Sequence, residues 1–302
     1  MNQIQELGEL ARSLGYDVRY DEPMSRHTTF HIGGPADIFL TAQDTASLQK
    51  ICRKATDSGI NIFPLGNGSN LLVSDAGIRG AVITFDGDFK KTALCSDTVI
   101  QAGSGVSLAS VCNFARNHSL TGLEFAWGIP GSAGGAAFMN AGAYEHSVSE
   151  VISSCTHVSV NGESGVFKKE SLDFGYRHSA YSGGGYIISN VHFELKHGNE
   201  SEISAAMDDL YARRKSKQPL ELPSAGSVFK RPAGHYAGAL IQQCGLKGRR
   251  VGGAAVSEKH SGFIVNLGGA TCADVQKLIE TIQETVLRET GVQLECEVKM
   301  IG

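Results

Sequence analysis

Long apolar runs are missing from this sequence. Nothing in it approaches the roughly eighteen uninterrupted apolar residues that a membrane-spanning helix needs, so no membrane partner is expected. Charge of one sign is also scarce. The 27 Lys and Arg against 31 Asp and Glu leave a formal net charge of -4, too little asymmetry for nucleic acid or an anionic surface, so any phosphate binding has to be local. Paired cysteines are absent. The seven cysteines (52, 95, 112, 155, 244, 272 and 296) stand singly, with no Cys-x-x-Cys and no histidine at zinc-ligand spacing, and read as reduced, mostly core thiols of a cytoplasmic protein. His27 and His31 lie four apart, but HTTFHIGGP runs into glycines rather than a helix, so no metal site is expected. Neither GNGSNL nor GSGVSL completes G-x-G-x-x-G, no G-x-x-x-x-G-K-[ST] occurs, and no serine sits in G-x-S-x-G. A Rossmann fingerprint, a P-loop and a hydrolase elbow are thereby excluded. The opening MNQIQELGELARSLG spaces Ile4, Leu7, Ala11 and Leu14 as one helix face and carries Glu6 and Glu9, unlike a signal or transit peptide.

Glycine is what the chain has in excess. Its 37 glycines in 302 residues are about 12%, against about 7% in average proteins, and they cluster between apolar runs such as ADIFL, NLLV, AVITF and GFIVNL. That pattern describes a folded, loop-rich protein rather than a disordered one. Glycine loops carrying Ser and Asn without clustered lysines can expose consecutive backbone amides as concave anion nests, suited to the pyrophosphate of a large cofactor. PLGNGSNLLVSD offers one such loop in Gly66, Asn67, Gly68, Ser69 and Asn70, and GIPGSAGGAAFMNAGAYE a second, longer stretch. Any one of them could be no more than a tight turn between strands; two together, with RHTTFHIGGPAD, weigh against that.

Periodicity gives an initial helix, a strand over 36–40 and a helix over 45–58. Short strands follow near 62–64, 71–73, 81–85 and 99–102, then a helix over 108–117 capped by Ser107. Strands near 151–160, 165–168 and 186–195 lead into HGNESE, which reads as a linker. A charged helix over 202–217, helices over 237–244 and 273–289, and a final strand over 292–301 complete the pattern. Helices and strands mix without strict alternation, which predicts an α+β fold rather than a doubly wound sheet.

A family resemblance rests on seven segments. TTFHIGGPAD, PLGNGSNLLVSD, TGLEFAWGIPGSAGGAAFMNAGAYE, YRHSAY, PSAGSVFKRP, GLKGRRVGGAAVSEKHSGFIVN and LECEVKMIG resemble, in order and over nearly the whole chain, the signatures of the UDP-N-acetylenolpyruvoylglucosamine reductases. YRHSAY runs through SGGG straight into a strand, without the insertion that carries a clamping tyrosine in one subtype, so the likeness is to the shorter, second type. The resemblance implies an FAD-binding region of the vanillyl-alcohol oxidase and p-cresol methylhydroxylase type at 1–200, with subdomains of about 1–85 and 86–200, and a smaller α+β substrate domain at 201–302. It implies noncovalent FAD, NADPH as hydride donor, and a monomer that reduces UDP-N-acetylglucosamine enolpyruvate in peptidoglycan precursor synthesis. Cofactor contacts would come from Gly33, Gly34, Pro35, Gly66, Asn67, Gly68, Ser69, Asn70, Gly131, Ser132, Gly134 and Gly135.

The same resemblance assigns the chemistry. Hydride addition to an enol ether conjugated to a carboxylate pushes charge into that carboxylate, so an enolate-like dianion has to be stabilised. Arg177 in YRHSAY supplies a permanently charged planar fork for it; taken alone it would read as an ion-paired surface arginine. Glu297 in LECEVKMIG matches the glutamate that assists the enolate as a hydrogen-sharing acid, a role that burial favours. By alternation alone it would share a solvated strand face with Glu295 and Lys299. Ser227 in PSAGSVFK matches the proton donor, although a serine after Ala-Gly is more often a turn hydroxyl. Lys217, Lys230, Arg231 and Lys299 are expected substrate contacts, and Tyr176 and Tyr181 packing residues. Cys296 and Lys299 stand where the family usually has Pro and Arg, which weakens bidentate recognition near Lys299, and Arg231 stands where some relatives have Asn. An oxidase on the same scaffold and a non-enzymatic flavin or nucleotide-sugar module are the competing classes; Arg177, Ser227 and Glu297 occurring together argue against both.

Overall fold

Seven helices order residues 2–302, the part of the chain that the computed structural model describes: α1 (Gln3–Ser13), α2 (Thr45–Asp57), α3 (Leu108–Asn117), α4 (Ala133–Met139), α5 (Glu200–Lys217), α6 (Ala237–Gln243) and α7 (Cys272–Thr290). Most begin on a side chain that meets an orphan amide. Asn2 and Gln5 bond reciprocally at α1, Asp44 accepts from Ser47 N at 2.8 Å in α2, and Ser107 accepts from Ser110 N at 3.0 Å in α3.

The chain folds into two units, each assembled from separate stretches. Met1–Asp21, Asp37–Asn67 and Gly80–Arg213 form the first; Glu22–Ala36, Gly68–Arg79 and Arg214–Gly302 form the second. This interleaving differs from a contiguous division at residue 200. Its physical cause is pairing of early segments with late ones: Thr29 exchanges hydrogen bonds with Ser224 (Oγ1 to O, 2.7 Å; Ser224 N to Thr29 O, 3.1 Å), and Leu71–Val73 pairs in parallel with Lys299–Ile301.

The first unit holds two sheets. One is four-stranded, in the order Asp17–Pro23, Pro35–Ala42, Ile78–Phe85, Ile62–Pro64, the last two parallel with Ile62 opposite Ala81. Leu7 and Ala11 of α1 and Leu48, Ile51 and Ala55 of α2 bury completely against Ile38, Leu40 and Ile83, each large aliphatic side chain contributing about 1.5–3 kcal/mol of transfer free energy. The other sheet is antiparallel, in the order Ser164–Lys168, Ile152–Ser159, Tyr186–Glu194, Val99–Gly103, Thr92–Leu94. Its core side carries Ile100, Ala102, Val191 and Phe193 in one cluster with Leu108 and Val111 of α3 and Ala133 and Ala137 of α4.

A four-stranded antiparallel sheet, in the order Ser224–Ser227, Phe263–Asn266, Ala254–Val256, Arg250–Val251, forms the second unit with α6 and α7. Val275, Leu278, Ile279, Ile282 and Val286 recur at helical spacing and bury the inner stripe of α7. This long helix is capped twice at its start. Thr271 and Asp274 form a capping box, while Asp75 accepts from Cys272 N (2.8 Å) and Ala273 N (3.0 Å) across 197 and 198 residues of sequence.

Three expectations from sequence are corrected. HGNESE is not a linker: Lys196–His197 pairs with Leu120–Thr121, and Asn199 accepts from Ser201 N and Glu202 N to start α5 at Glu200. The final strand shrinks to Lys299–Ile301, because residues 295–297 instead bond across to 228–230. Glu295, Glu297 and Lys299 therefore share no uniform solvated face: Glu295 and Lys299 are exposed, Glu297 is half-buried and Val298 is buried. The glycine-rich stretch after Pro130 contains α4, which its composition hid.

Asp75 is the carboxylate that holds segment 68–79 to the α7 terminus. Asp75→Ala should lower stability by about 1 kcal/mol, the usual worth of a helix cap, and thermal unfolding followed by circular dichroism should shift down by about 2–4 °C. An unchanged transition would mean that the capping box alone satisfies the helix start.

Candidate functional site

Within the first unit the two glycine-rich segments meet. A Cβ on Gly66 would stand 2.6 Å from Ser132 Oγ and 4.0 Å from Gly135 Cα, so the loop after Ile62–Pro64 approaches the start of α4 more closely than a side chain permits. Ser132 caps α4 by accepting from Gly135 N at 3.2 Å. Gly134 lies against Ser104, where a Cβ would come 2.7 Å from the serine Cβ, and its amide donates to Ser104 O at 3.0 Å. The amide of Gly131 donates to Ile129 O. Gly131, Gly134 and Gly135 thus spend their donors inside the chain, and the second glycine segment works by close packing rather than as an open nest.

The loop 66–70 differs. Among the described residues, none of the amides of Gly66, Asn67, Gly68 and Ser69 donates to another group of the chain. Four consecutive unused donors are what an anion cradle requires. In the second unit Gly68 takes φ +61 with its Cα hydrogens facing His27 O, a place where any Cβ would collide with that carbonyl. Gly33 has φ +135 and packs on Val73 and Met24; Gly34 donates to Ser74 O at 2.9 Å and packs on the Asp75 backbone; Pro35 opens a strand. The residues present fit a pyrophosphate-bearing cofactor at 66–69, while Gly33 and Gly34 owe their small size to packing.

The segments that carry Ser227 and Glu297 pair in the second unit. Ser227 ends the strand Ser224–Ser227 opposite Phe263; Val228 N donates to Gly262 O at 2.9 Å, and Glu297 N donates to Val228 O at 2.7 Å. Both side chains are half-buried. Asn70 brackets the glutamate, its Nδ2 donating to Glu297 O (3.3 Å) and its carbonyl accepting from Lys299 N (3.0 Å). Sequence reasoning had no signal for that link. Cys296, in place of proline, is half-buried, and burial raises its thiol pKa, with Lys230 opposing. Lys230 pairs with Glu295 at 3.1 Å, Arg231 stacks over the Tyr236 ring at 4.1 Å, and Lys217 and Lys299 are exposed. The exposed pair Lys230–Glu295 is worth little and can be exchanged for a ligand phosphate.

Arg177 belongs to the first unit. It is half-buried, has φ +54, and lies with its guanidinium 5.4 Å from the Tyr176 ring centroid. Tyr181 is fully buried against His157, whose Nδ1 is 3.1 Å from its hydroxyl, as a packing residue should be; Tyr176 is 59% exposed and is not one. His27 pairs with Glu22 at 2.8 Å. Cys52 is wholly buried, and burial pushes its thiol pKa up to about 12.

Comparison with known proteins bears on the chain as a whole. Residues 218–301 match the family described as UDP-N-acetylenolpyruvoylglucosamine reductase, C-terminal domain, and residues 36–165 match an FAD binding domain. A UDP-N-acetylenolpyruvoylglucosamine reductase of Clostridium botulinum is 49% identical over 288 residues, covering 95% of this chain and 93% of its own. The chain belongs to that reductase family. The Agathobacter rectalis member is 46% identical over 315 residues, covering 100% and 99% of the two chains. The crystal structure of the Thermus caldophilus enzyme superposes with a TM-score of 0.84 at 36% identity, covering 95% of this chain and 100% of its own. A glucooligosaccharide oxidase from Acremonium strictum, 13% identical with a TM-score of 0.50 over 99% of this chain and 60% of its own, shares the fold alone. The fold is therefore the expected α+β arrangement of the vanillyl-alcohol oxidase type with the reductase family's C-terminal domain.

The loop 66–69 and the packing glycine of α4 make separable demands. Gly68→Val should abolish FAD binding, because it meets both a positive φ and the His27 carbonyl, and Gly134→Val should do so by pushing α4 off Ser104. The ratio of flavin to protein absorbance in the purified variants measures this. Full occupancy in both would sink the cradle.

Proposed function

We propose that this protein reduces UDP-N-acetylglucosamine enolpyruvate to UDP-N-acetylmuramate with NADPH, through noncovalently bound FAD. The observation that supports the reading is the pairing of segments 228–230 and 295–297, in which the carbonyl of Val228, next to Ser227, accepts from the amide of Glu297, in a chain that matches named reductases along nearly its whole length. In this reading the amides of 66–69 hold the cofactor pyrophosphate, with Ser132 at their side, and the first unit supplies most of the FAD contacts. The second unit, matched by the reductase C-terminal domain, binds the nucleotide sugar, with Lys217, Lys230, Arg231 and Lys299 as cationic contacts for its phosphates.

FAD, when bound, supplies the hydride that is added at the methylene carbon of the enol ether. The chain's own residues then manage charge and a proton. Arg177 pairs with the substrate carboxylate and stabilises the negative charge that develops there, the kind of contribution that is commonly the largest in catalysis. Glu297 shares a hydrogen with the same enolate oxygen. Ser227 donates its hydroxyl proton to the carbon bearing the ether oxygen, completing the saturated lactyl ether; a weak acid serves here because the acceptor is strongly basic and the geometry is fixed. Lys299 retains charge where an arginine is usual in the family but offers no fork, so it steers phosphate or carboxylate without bidentate recognition.

Acid precipitation should release all the yellow colour as FAD; flavin held in the pellet, or FMN in the supernatant, refutes noncovalent FAD. The half-reactions test the residues. Ser227→Ala should bleach its flavin with NADPH at close to the wild-type rate, while reoxidation by the enolpyruvyl nucleotide sugar slows by about 100-fold or more, within the 10²–10⁴ range of positioned acid catalysis. Ser227→Cys should regain part of the loss, and Arg177→Lys should slow the same second step while retaining FAD. Stopped-flow absorbance separates the two. Reoxidation of Ser227→Ala at the wild-type rate would return the proton to Glu297 or water.

A further inference from the structure

Arg177 stands on a turn that the first unit holds from outside. Gly175 and His178 exchange backbone hydrogen bonds (3.1 and 3.2 Å), leaving Tyr176 and Arg177 as the two residues at the tip. A left-handed φ of +54 at the second tip position suits glycine, and an arginine keeps it only if the surroundings fix it. At the tip Tyr176 is exposed, and the His178 ring bonds the exposed Asp173 at 3.2 Å.

The turn is tied to the end of α4. Asn140 terminates that helix with φ +43, is 8% exposed, and uses both ends of its amide: Nδ2 donates to Gly175 O at 2.9 Å, and Oδ1 accepts from Ser149 N at 3.1 Å. Gly175 O thus receives two donors, His178 N inside the turn and Asn140 Nδ2 outside it. Just past the turn, the wholly buried Ser179 donates from Oγ to Phe138 O at 2.8 Å, so both legs of the turn are tied to the last residues of one helix. An aspartate at 140 would set an acceptor against a carbonyl, and an alanine would leave the carbonyl of Gly175 and the amide of Ser149 short of a partner.

We propose that Asn140 is the positioning residue for Arg177: its buried amide fixes the turn from which the guanidinium meets the substrate carboxylate. The inference rests on the carboxylate-binding role given above to Arg177. The Asn140 side-chain amide is spent on Gly175 O and Ser149 N, so the effect proposed for it passes through the turn of the arginine.

That dependence is testable by a double-mutant cycle on the FAD-loaded enzyme. Asn140→Gly keeps the left-handed backbone without strain and removes only the amide, and Ser179→Ala removes the second tether if the first variant folds poorly; FAD content and circular dichroism report folding. Reoxidation of the flavin by the enolpyruvyl nucleotide sugar should slow about tenfold or more in Asn140→Gly, within the loss a misplacement of about 1 Å produces, and mainly in kcat rather than KM. In an Arg177→Ala background the same substitution should change the rate less than about twofold, because the group it positions is gone. Wild-type reoxidation in Asn140→Gly with a defective Arg177→Ala overturns the positioning role alone. An equal slowing in both backgrounds also overturns it, since the asparagine would then act independently of the arginine. Wild-type reoxidation in Arg177→Ala overturns the role of the arginine and the inference with it.

Discussion

Much of the first unit follows from one close approach. Gly134 lies so near the Ser104 backbone that a single methyl group would have to displace it, and the amide of Gly134 bonds the carbonyl of Ser104 at that point. A helix containing two glycines in seven residues has poor intrinsic propensity, each glycine being worth about 0.8–1 kcal/mol less than alanine. What it gains is depth: Ala133, Gly134, Ala136 and Ala137 bury against the sheet with no bulky side chain between. The position of α4 then fixes both of its ends. Its start presents Ser132 and Gly135 to Gly66, and its end carries Phe138 O and Asn140 to the turn of Arg177. A short element thus relates Gly66, at the start of the loop proposed to hold the cofactor, to the turn of Arg177 within one unit.

The second unit solves a similar problem with longer-range links. Segment 68–79 is held by Asp75 at the start of α7 and by the parallel pair of Leu71–Val73 with Lys299–Ile301. Asn70, at the head of that pair, bonds on both sides of Glu297. Displacement of segment 68–79 would therefore be felt beside the glutamate through two hydrogen bonds. Ser227 is fixed independently, by the strand register with Phe263 and the bond from Val228 to Gly262.

Elements with strong periodicity or caps were legible in the sequence. The strands over 62–64 and 71–73 and the helix Leu108–Asn117 with its Ser107 cap appear as read, because short β-branched and leucine runs between turn residues, and a serine ahead of an amphipathic stretch, are local signals. α4 was not legible, since its stability comes from tertiary packing that composition opposes. The tail at 292–301 misled by alternation: Leu294 and Val298 are buried while Cys296 is only half-buried, which is the mark of a segment clamped to 228–230 rather than a strand with two faces. The candidate site was legible as residue types, in that Ser227, Glu297 and loop 66–70 were all singled out. The links Asn70 to Glu297 and Asn140 to Gly175 were not, because they join residues 227 and 35 positions apart through backbone carbonyls, which leave no trace in side-chain pattern.

Glycine abundance itself divides by cause once the backbone is known. Gly68 needs its positive φ and the space before His27 O; Gly34 and Gly134 need room for a neighbouring backbone or side chain; Gly183, Gly184 and Gly185 meet nothing within 4 Å and form an open turn. Among the glycine-rich segments expected to hold the cofactor, loop 66–69 has four consecutive amides with no acceptor of their own. A glycine-rich sequence is therefore weak evidence for anion binding until the amides have been accounted for one by one, and here that accounting selects one loop of several. The same test works in reverse at Arg177. A non-glycine residue stands there at φ +54, in a turn whose two legs are bonded by Asn140 and Ser179 to the end of α4.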